Sequence, residues 1–75
     1  MNKKELSAEI AERTGISGAD AKKSVDAFTD IVTEQLKSGD EVQLTGFGKF
    51  SVPQNGDSGD AVSFKSGRSL KEALS

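Results

Sequence analysis

The sequence predicts an α+β fold in which a helical hairpin precedes a three-stranded antiparallel sheet and a short C-terminal helix. Apolar residues recur at helical intervals through the first half of the 75-residue chain and at alternate positions in the second half. The chain has no Cys and no His, so neither a disulfide nor a typical zinc site can stabilise so small a domain. We therefore expect one domain, residues 1–75, that gains stability by forming a homodimer.

The first helix is predicted over about 3–14. Asn2 suits the N-cap position, and Glu5 stands three residues later, which is the spacing of a capping box. Gly15 is placed to end the helix in the left-handed conformation.

The second helix is predicted over about 18–37, capped by Ser17 and ended by the Gly39 region. Its apolar residues form one stripe: Ala21, Val25, Phe28, Ile31, Val32 and Leu36. The carboxylates of Asp26, Asp30 and Glu34 form an acidic stripe, which we interpret as a solvated helix face partly paired with Lys22 rather than as an active site.

Three short strands follow, because apolar and polar residues alternate. The alternating apolar pairs are Val42 and Leu44, Phe50 and Val52, and Val62 and Phe64. Gly46 and Gly48 flank Phe47 in a tight turn. Opposed residues of an antiparallel pair share a face, so Phe50 should pair with Phe64 and Val52 with Val62. This register predicts a loop centred on Asp57 instead of a two-residue Asn55-Gly56 turn.

A last short helix is predicted to start at a cap formed by Ser66 or Ser69, with Leu70, Ala73 and Leu74 facing inward. Lys65, Arg68 and Lys71 recur at a spacing of three around its start. Such spacing can align cations along a phosphate backbone, although spacing alone favours a solvated helix face.

The composition excludes most catalytic chemistry. Without His or Cys the usual general bases, nucleophiles and metal ligands are missing, so we expect no enzyme, no cofactor and no metal. The net charge of −2 argues against nonspecific polyanion binding through overall charge, but leaves room for a local basic patch. No apolar run reaches membrane-spanning length and no signal peptide is recognisable, so we expect a cytoplasmic protein without a membrane partner.

Taken in order, six segments resemble the bacterial HU and integration host factor family of histone-like DNA-binding proteins. These are residues 1–6 (MNKKEL), 11–15 (AERTG), 21–28 (AKKSVDAF), 39–44 (GDEVQL), 46–50 (GFGKF) and 64–74 (FKSGRSLKEAL). The resemblance implies an intertwined dimer associated with the nucleoid, and core or dimer-interface positions for the four aromatic residues, Phe28, Phe47, Phe50 and Phe64.

The same resemblance implies double-stranded DNA as the partner. The matching basic positions of the tail, and hence candidate phosphate ligands, are Lys65, Arg68 and Lys71, and Lys3 is a fourth candidate phosphate ligand. The family also binds DNA with long basic β-ribbon arms, each carrying a proline that wedges between base pairs. Here only nine residues, without Lys or Arg, separate Val52 from Val62, and Pro53 is not expected to inherit that role. Ser66 stands where the family usually has Pro.

Two functions remain open from the sequence. The first is a nucleoid-type DNA-binding and DNA-condensing protein that binds weakly, without sequence preference and with little bending, through its body alone. The second is an HU-like interaction module without significant DNA binding, which pairs with or antagonises an armed relative, for example as a heterodimer. An engineered arm deletion would also give this sequence.

Overall fold

The computed structural model describes residues 1–52 and 62–75. The elements are α1 (Lys3–Thr14), α2 (Gly18–Lys37), β1 (Val42–Leu44), β2 (Gly48–Ser51), β3 (Ser63–Ser66) and α3 (Arg68–Leu74). The predicted α+β class, element order and helix bounds are therefore confirmed. The chain divides into two compact units, Met1–Ile31 and Val32–Ser75, each of which is described by itself.

Local side-chain contacts fix the ends of α1 as predicted. The Asn2 side chain accepts a hydrogen bond from the Glu5 backbone N–H (2.8 Å), and Glu5 Oε1 accepts one from the Asn2 N–H (3.1 Å). Gly15 ends the helix at φ 81°, and its N–H donates to the Ala11 carbonyl. This left-handed conformation costs a glycine little, which explains the position of the residue.

The first unit has a small core. Ala21 and Val25 are its buried apolar residues, joined by Ser7, whose hydroxyl donates to the Lys3 carbonyl. Ser17 caps α2 as predicted, since its hydroxyl accepts a hydrogen bond from the Asp20 N–H at 3.0 Å. Five large apolar side chains of this unit are exposed in the single chain: Met1, Leu6, Ile16, Phe28 and Ile31.

The second unit contains the sheet, in which the strands lie in the order β1-β2-β3 and all pair antiparallel. Phe50 lies opposite Phe64, so the predicted register is confirmed. A register one residue away would move Phe64 to the opposite face. The predicted loop centred on Asp57 lies outside the described residues.

The start of α3 corrects a prediction. Neither Ser66 nor Ser69 caps the helix; the N-cap is Gly67, which has no side chain to accept a hydrogen bond from the first turn. The turn between β1 and β2 satisfies the exposed donors instead, because the Gly67 N–H bonds to the Phe47 carbonyl (2.7 Å) and the Leu70 N–H to the Gly46 carbonyl (3.2 Å). A backbone contact with the turn therefore replaces the expected serine cap.

The apolar face of α3 was also predicted too broadly. Leu70 is half-buried, whereas Ala73 is exposed and Leu74 is 78% exposed in the single chain. The backbone contacts with the Gly46–Phe47 turn involve the start of this short helix, Gly67 and Leu70, and not its exposed end. Among the described helices, none is both long and apolar enough to cross a membrane.

Candidate nucleic-acid interface

The polar face of the sheet carries a row of cationic and amide side chains. The strand register places Gln43 opposite Lys49, and Lys49 opposite Lys65. Directly opposed residues point to the same side, so these three side chains cross the sheet as one row. The other face carries the aromatic and aliphatic residues, among them Phe50 and Phe64. The alternation of polar and apolar residues along the strands thus places the cationic side chains on one face of the sheet and the apolar side chains on the other.

The two lysines of this row differ in their surroundings. Lys49 Nζ lies 3.4 Å from Glu41 Oε2, and its side chain is only 37% exposed. Lys65 is exposed and has no ion pair within the described residues. Among the described residues, Lys49 is thus paired with a carboxylate and Lys65 is not.

The beginning of α3 adds two more cations. Arg68 and Lys71 lie one helical turn apart, and Arg68 follows β3 after the single residue Gly67. Arg68 pairs with Glu72 at 3.2 Å, although its side chain is 90% exposed. Lys71 is exposed and, like Lys65, has no ion pair in the part of the chain that is described. Lys65, Arg68 and Lys71 thus lie on the end of β3 and the beginning of α3, and their role as phosphate ligands stays a prediction.

Close backbone packing holds this junction. A Cβ added at Gly67 would lie 2.7 Å from both the carbonyl carbon and the carbonyl oxygen of Gly46. It would lie 3.0 Å from the carbonyl carbon of Phe47. Gly46 itself has φ 83°, a conformation that suits glycine. The turn and the start of α3 therefore fit together only because glycines meet there, and this contact fixes where Arg68 begins the helix.

Lys3, the fourth predicted phosphate ligand, lies in the first unit and is engaged in an ion pair. Its Nζ is 2.6 Å from Asp26 Oδ1, an oxygen that is itself withdrawn from solvent. The contact and charge of Asp26 raise the pKa of Lys3, and those of Lys3 lower the pKa of Asp26. Lys22 has a smaller effect in the same direction on the pKa of Asp26. The predicted acidic stripe is thus neutralised at Asp26 chiefly by Lys3 and not by Lys22.

The four aromatic residues occupy two places. Phe64 packs against Phe47 (ring centroids 5.5 Å apart) and against Phe50 (5.0 Å) in the second unit. Phe28 lies on α2 in the first unit and is 44% exposed; Phe47 and Phe64 are exposed to a similar extent. Their predicted place in a dimer interface stays a prediction, and their exposure leaves them available for one.

Lys49 lies in the cationic row of the sheet but is not among the predicted candidate ligands. The signal was present in the sequence, because pairing Phe50 with Phe64 necessarily pairs Lys49 with Lys65. The glycines and aromatic residues of segment 46–50 dominate its sequence pattern, whereas Lys49 lies on the polar side of the strand.

Comparison with known proteins gives a consistent result. The family model described as bacterial DNA-binding protein matches residues 1–75. The DNA-binding protein HU of Geobacillus stearothermophilus is 43% identical over 89 aligned residues, which cover 99% of each chain. A mutant HU from Thermotoga maritima superimposes with a TM-score of 0.90 at 36% identity, and covers both chains completely. An Anabaena HU in a DNA cocrystal gives a TM-score of 0.85 at 26% identity, covering 100% of this chain and 98% of that one.

These matches extend over the whole chain and agree with the α+β fold, the strand order and the motif segments described above. They identify a DNA-binding architectural protein and not an enzyme, as the lack of catalytic residue types predicts. The chain belongs to the HU family of bacterial DNA-binding proteins.

Proposed function

We propose that this protein binds duplex DNA weakly and without sequence preference, as a nucleoid-type protein of the bacterial cytoplasm, through its body and with little bending. One observation carries the proposal: the β3–α3 junction brings Lys65, Arg68 and Lys71 together on an exposed surface. Cations in such a group contact phosphates and position a duplex without reading its bases. The relatives named DNA-binding protein HU, and the HU–DNA cocrystal, support DNA as the ligand.

The sequence between β2 and β3 supports a body-only mode of binding. Residues 53–61 (PQNGDSGDA) contain two Asp and neither Lys nor Arg. The alignment with the Geobacillus relative needs 89 positions, although this chain has only 75 residues, so the relative carries at least 14 residues without a counterpart here. A long basic arm cannot be formed from so short a segment, and without arms there is no side chain to wedge and kink the duplex.

The internal ion pairs explain why the binding should be weak. Lys3, Lys49 and Arg68 each have a carboxylate partner within 3.4 Å. A phosphate must displace that carboxylate, or share the cation with it, before a contact contributes fully. Lys65 and Lys71 carry no such cost within the described residues. The net charge of −2 adds no long-range attraction to DNA.

We further propose that the functional unit is a homodimer. Large apolar side chains remain exposed in both units, including Phe28 and Ile31 in the first and Phe47 and Phe64 in the second. The buried apolar residues among those described are only Ala21 and Val25, which is a small core for a stable domain. A second copy could cover these side chains, and so could an HU-type relative in a heterodimer.

The second candidate, an interaction module that does not bind DNA, is favoured by the same ion pairs. If Glu41, Glu72 and Asp26 hold their cations against phosphate, the surface presents little net positive charge. The protein would then affect DNA only by forming a heterodimer with an armed relative, and this heterodimer would have one arm instead of two.

A fluorescence titration with a labelled duplex at low salt distinguishes the two. We expect binding by the wild-type protein and a large loss of affinity for the Lys65→Ala, Arg68→Ala, Lys71→Ala triple variant. A triple variant that binds as well as the wild type would refute the proposed contacts. Wild-type protein that remains unbound at low salt would favour the interaction module.

A further inference from the structure

Two like charges lie directly opposite each other on the polar face of the sheet. Lys49 of β2 and Lys65 of β3 are cross-strand partners, so their Cβ atoms are about 5 Å apart. Like charges in this position destabilise a sheet unless an opposite charge lies near both. Glu41 lies 3.4 Å from the Lys49 ammonium and reduces the repulsion from one side. Lys65 has no carboxylate partner in the described ranges, so among those residues Glu41 is the one carboxylate paired with either lysine.

The surroundings of the pair fit a compact anion. A depression of about 220 Å³ is lined by both lysines, and Gln43 on the neighbouring strand supplies an amide to the same row. Ser66 and Gly67 line its other side, next to the start of α3. Two ammonium groups flanking a polar depression can contact separate oxygens of one phosphate.

We propose that Lys49 and Lys65 together hold one backbone phosphate of duplex DNA, and that Glu41 competes with the phosphate for Lys49. The proposal rests on the proposed function and adds to it a ligand, Lys49, and a competing carboxylate, Glu41. Without DNA, Glu41 partly compensates the pair; with DNA, the phosphate does so for both lysines. An otherwise unfavourable pairing of charges in the free protein thus becomes favourable in the complex.

The test compares Lys49→Gln with Lys37→Gln as a matched control. Lys37 is an exposed lysine in the last turn of α2 without an ion pair in the described residues, so its loss changes the net charge equally. In a titration of a 20-base-pair duplex at about 0.1 M salt, loss of one cation from a phosphate contact lowers the affinity about fivefold to tenfold for each protomer that makes the contact. We expect this of Lys49→Gln and of Lys65→Gln, and a change below about twofold for Lys37→Gln.

The carboxylate provides a second, opposite readout. Glu41→Gln should tighten DNA binding, and this gain should disappear in the Lys49→Gln background, because Glu41 acts through Lys49. Glu12→Gln, an exposed site on α1, controls for the change in net charge. The thermal midpoint of Lys49→Gln should be unchanged or higher than that of the wild type, so that weaker binding cannot be attributed to unfolding.

The possible failures are distinguishable. If the wild type binds the duplex and Lys49→Gln binds as tightly as Lys37→Gln does, the phosphate contact shared by Lys49 and Lys65 is refuted while the proposed function stands. A Glu41→Gln gain that persists without Lys49 refutes the competition. If the wild type fails to bind at low salt, both the proposed function and the shared phosphate contact are refuted.

Discussion

The contact between the β1–β2 turn and the start of α3 predicts that Gly67→Ala destabilises the protein. The new Cβ would lie 2.7 Å from two backbone atoms of Gly46, about 1 Å closer than ordinary van der Waals contact. Backbone atoms cannot rotate away as a side chain can, so the turn and the helix must separate. Separation weakens the Gly67 N–H bond to Phe47 and the Leu70 N–H bond to Gly46, worth about 0.5–1.5 kcal/mol each. With about 1 kcal/mol or more of residual strain, the expected loss is about 2–4 kcal/mol.

Thermal unfolding followed by circular dichroism, at one fixed protein concentration, measures the effect. For a chain of this size about 2 kcal/mol corresponds to a fall in Tm of about 8–16 °C. Gly18→Ala is the matched control, because nothing lies within 4 Å of a Cβ at that position and Gly18 starts α2 with ordinary helical geometry. We expect that control to be neutral or to stabilise by about 0.5 kcal/mol. A Gly67→Ala variant as stable as the Gly18→Ala variant would show that the turn and α3 do not meet as described.

Three further predictions concern the ion pairs, the basic group and the dimer. Asp26→Asn removes a carboxylate whose pKa is lowered by Lys3. The wild type should therefore have a higher unfolding midpoint than the variant above about pH 5. This difference should disappear as the pH falls through the lowered pKa of Asp26, which lies below the ordinary value of 3.8. At alkaline pH the difference in unfolding midpoint should be lost as the pH rises through the raised pKa of Lys3, which lies above its ordinary value of 10.5. A difference in midpoint that does not change with pH would contradict the ion pair. Lys71→Gln should weaken duplex binding about fivefold to tenfold. Arg68→Gln should weaken it less, because Arg68 must break its ion pair with Glu72 before it can bind a phosphate fully. Equal losses of affinity for the two variants in a titration would contradict this difference. Phe28→Asp should yield monomers by analytical sedimentation where the wild type and Phe28→Leu are dimers, since a charge in an apolar interface is unfavourable; a dimeric Phe28→Asp would place the interface elsewhere.

The parts of the fold that the sequence predicted well are those set by nearby residues. The capping box of Asn2 and Glu5, the Ser17 cap and the Gly15 end each involve side chains or backbone groups within four residues. The register of β2 and β3 followed from parity, since only one pairing places Phe50 and Phe64 on one face. Such features need no knowledge of distant contacts.

The features that were missed depend on residues far apart in the chain. Gly67 serves as the N-cap of α3 where its N–H donates to the carbonyl of Phe47, 20 positions earlier in the sequence, and the Leu70 N–H donates to the carbonyl of Gly46. The pairing of Lys3 with Asp26 joins two helices, and the sequence alone had suggested Lys22 on the same helix. Lys49 could have been found by following the predicted register to the polar face, where it meets Lys65.

The salt dependence of duplex binding tests most directly the claim that the body alone holds DNA. If the six basic residues of the two β3–α3 junctions in a dimer each contact a phosphate, log affinity should fall with log salt at a slope of about −5. Competing carboxylates would make the slope shallower, while Lys49 and Lys65 acting on one phosphate would leave the number of contacted phosphates, and therefore the slope, unchanged. A titration between about 50 and 200 mM salt should therefore show binding at the low end and a steep loss toward the high end. Absence of binding at the low end, or an affinity that does not change with salt, would contradict the account.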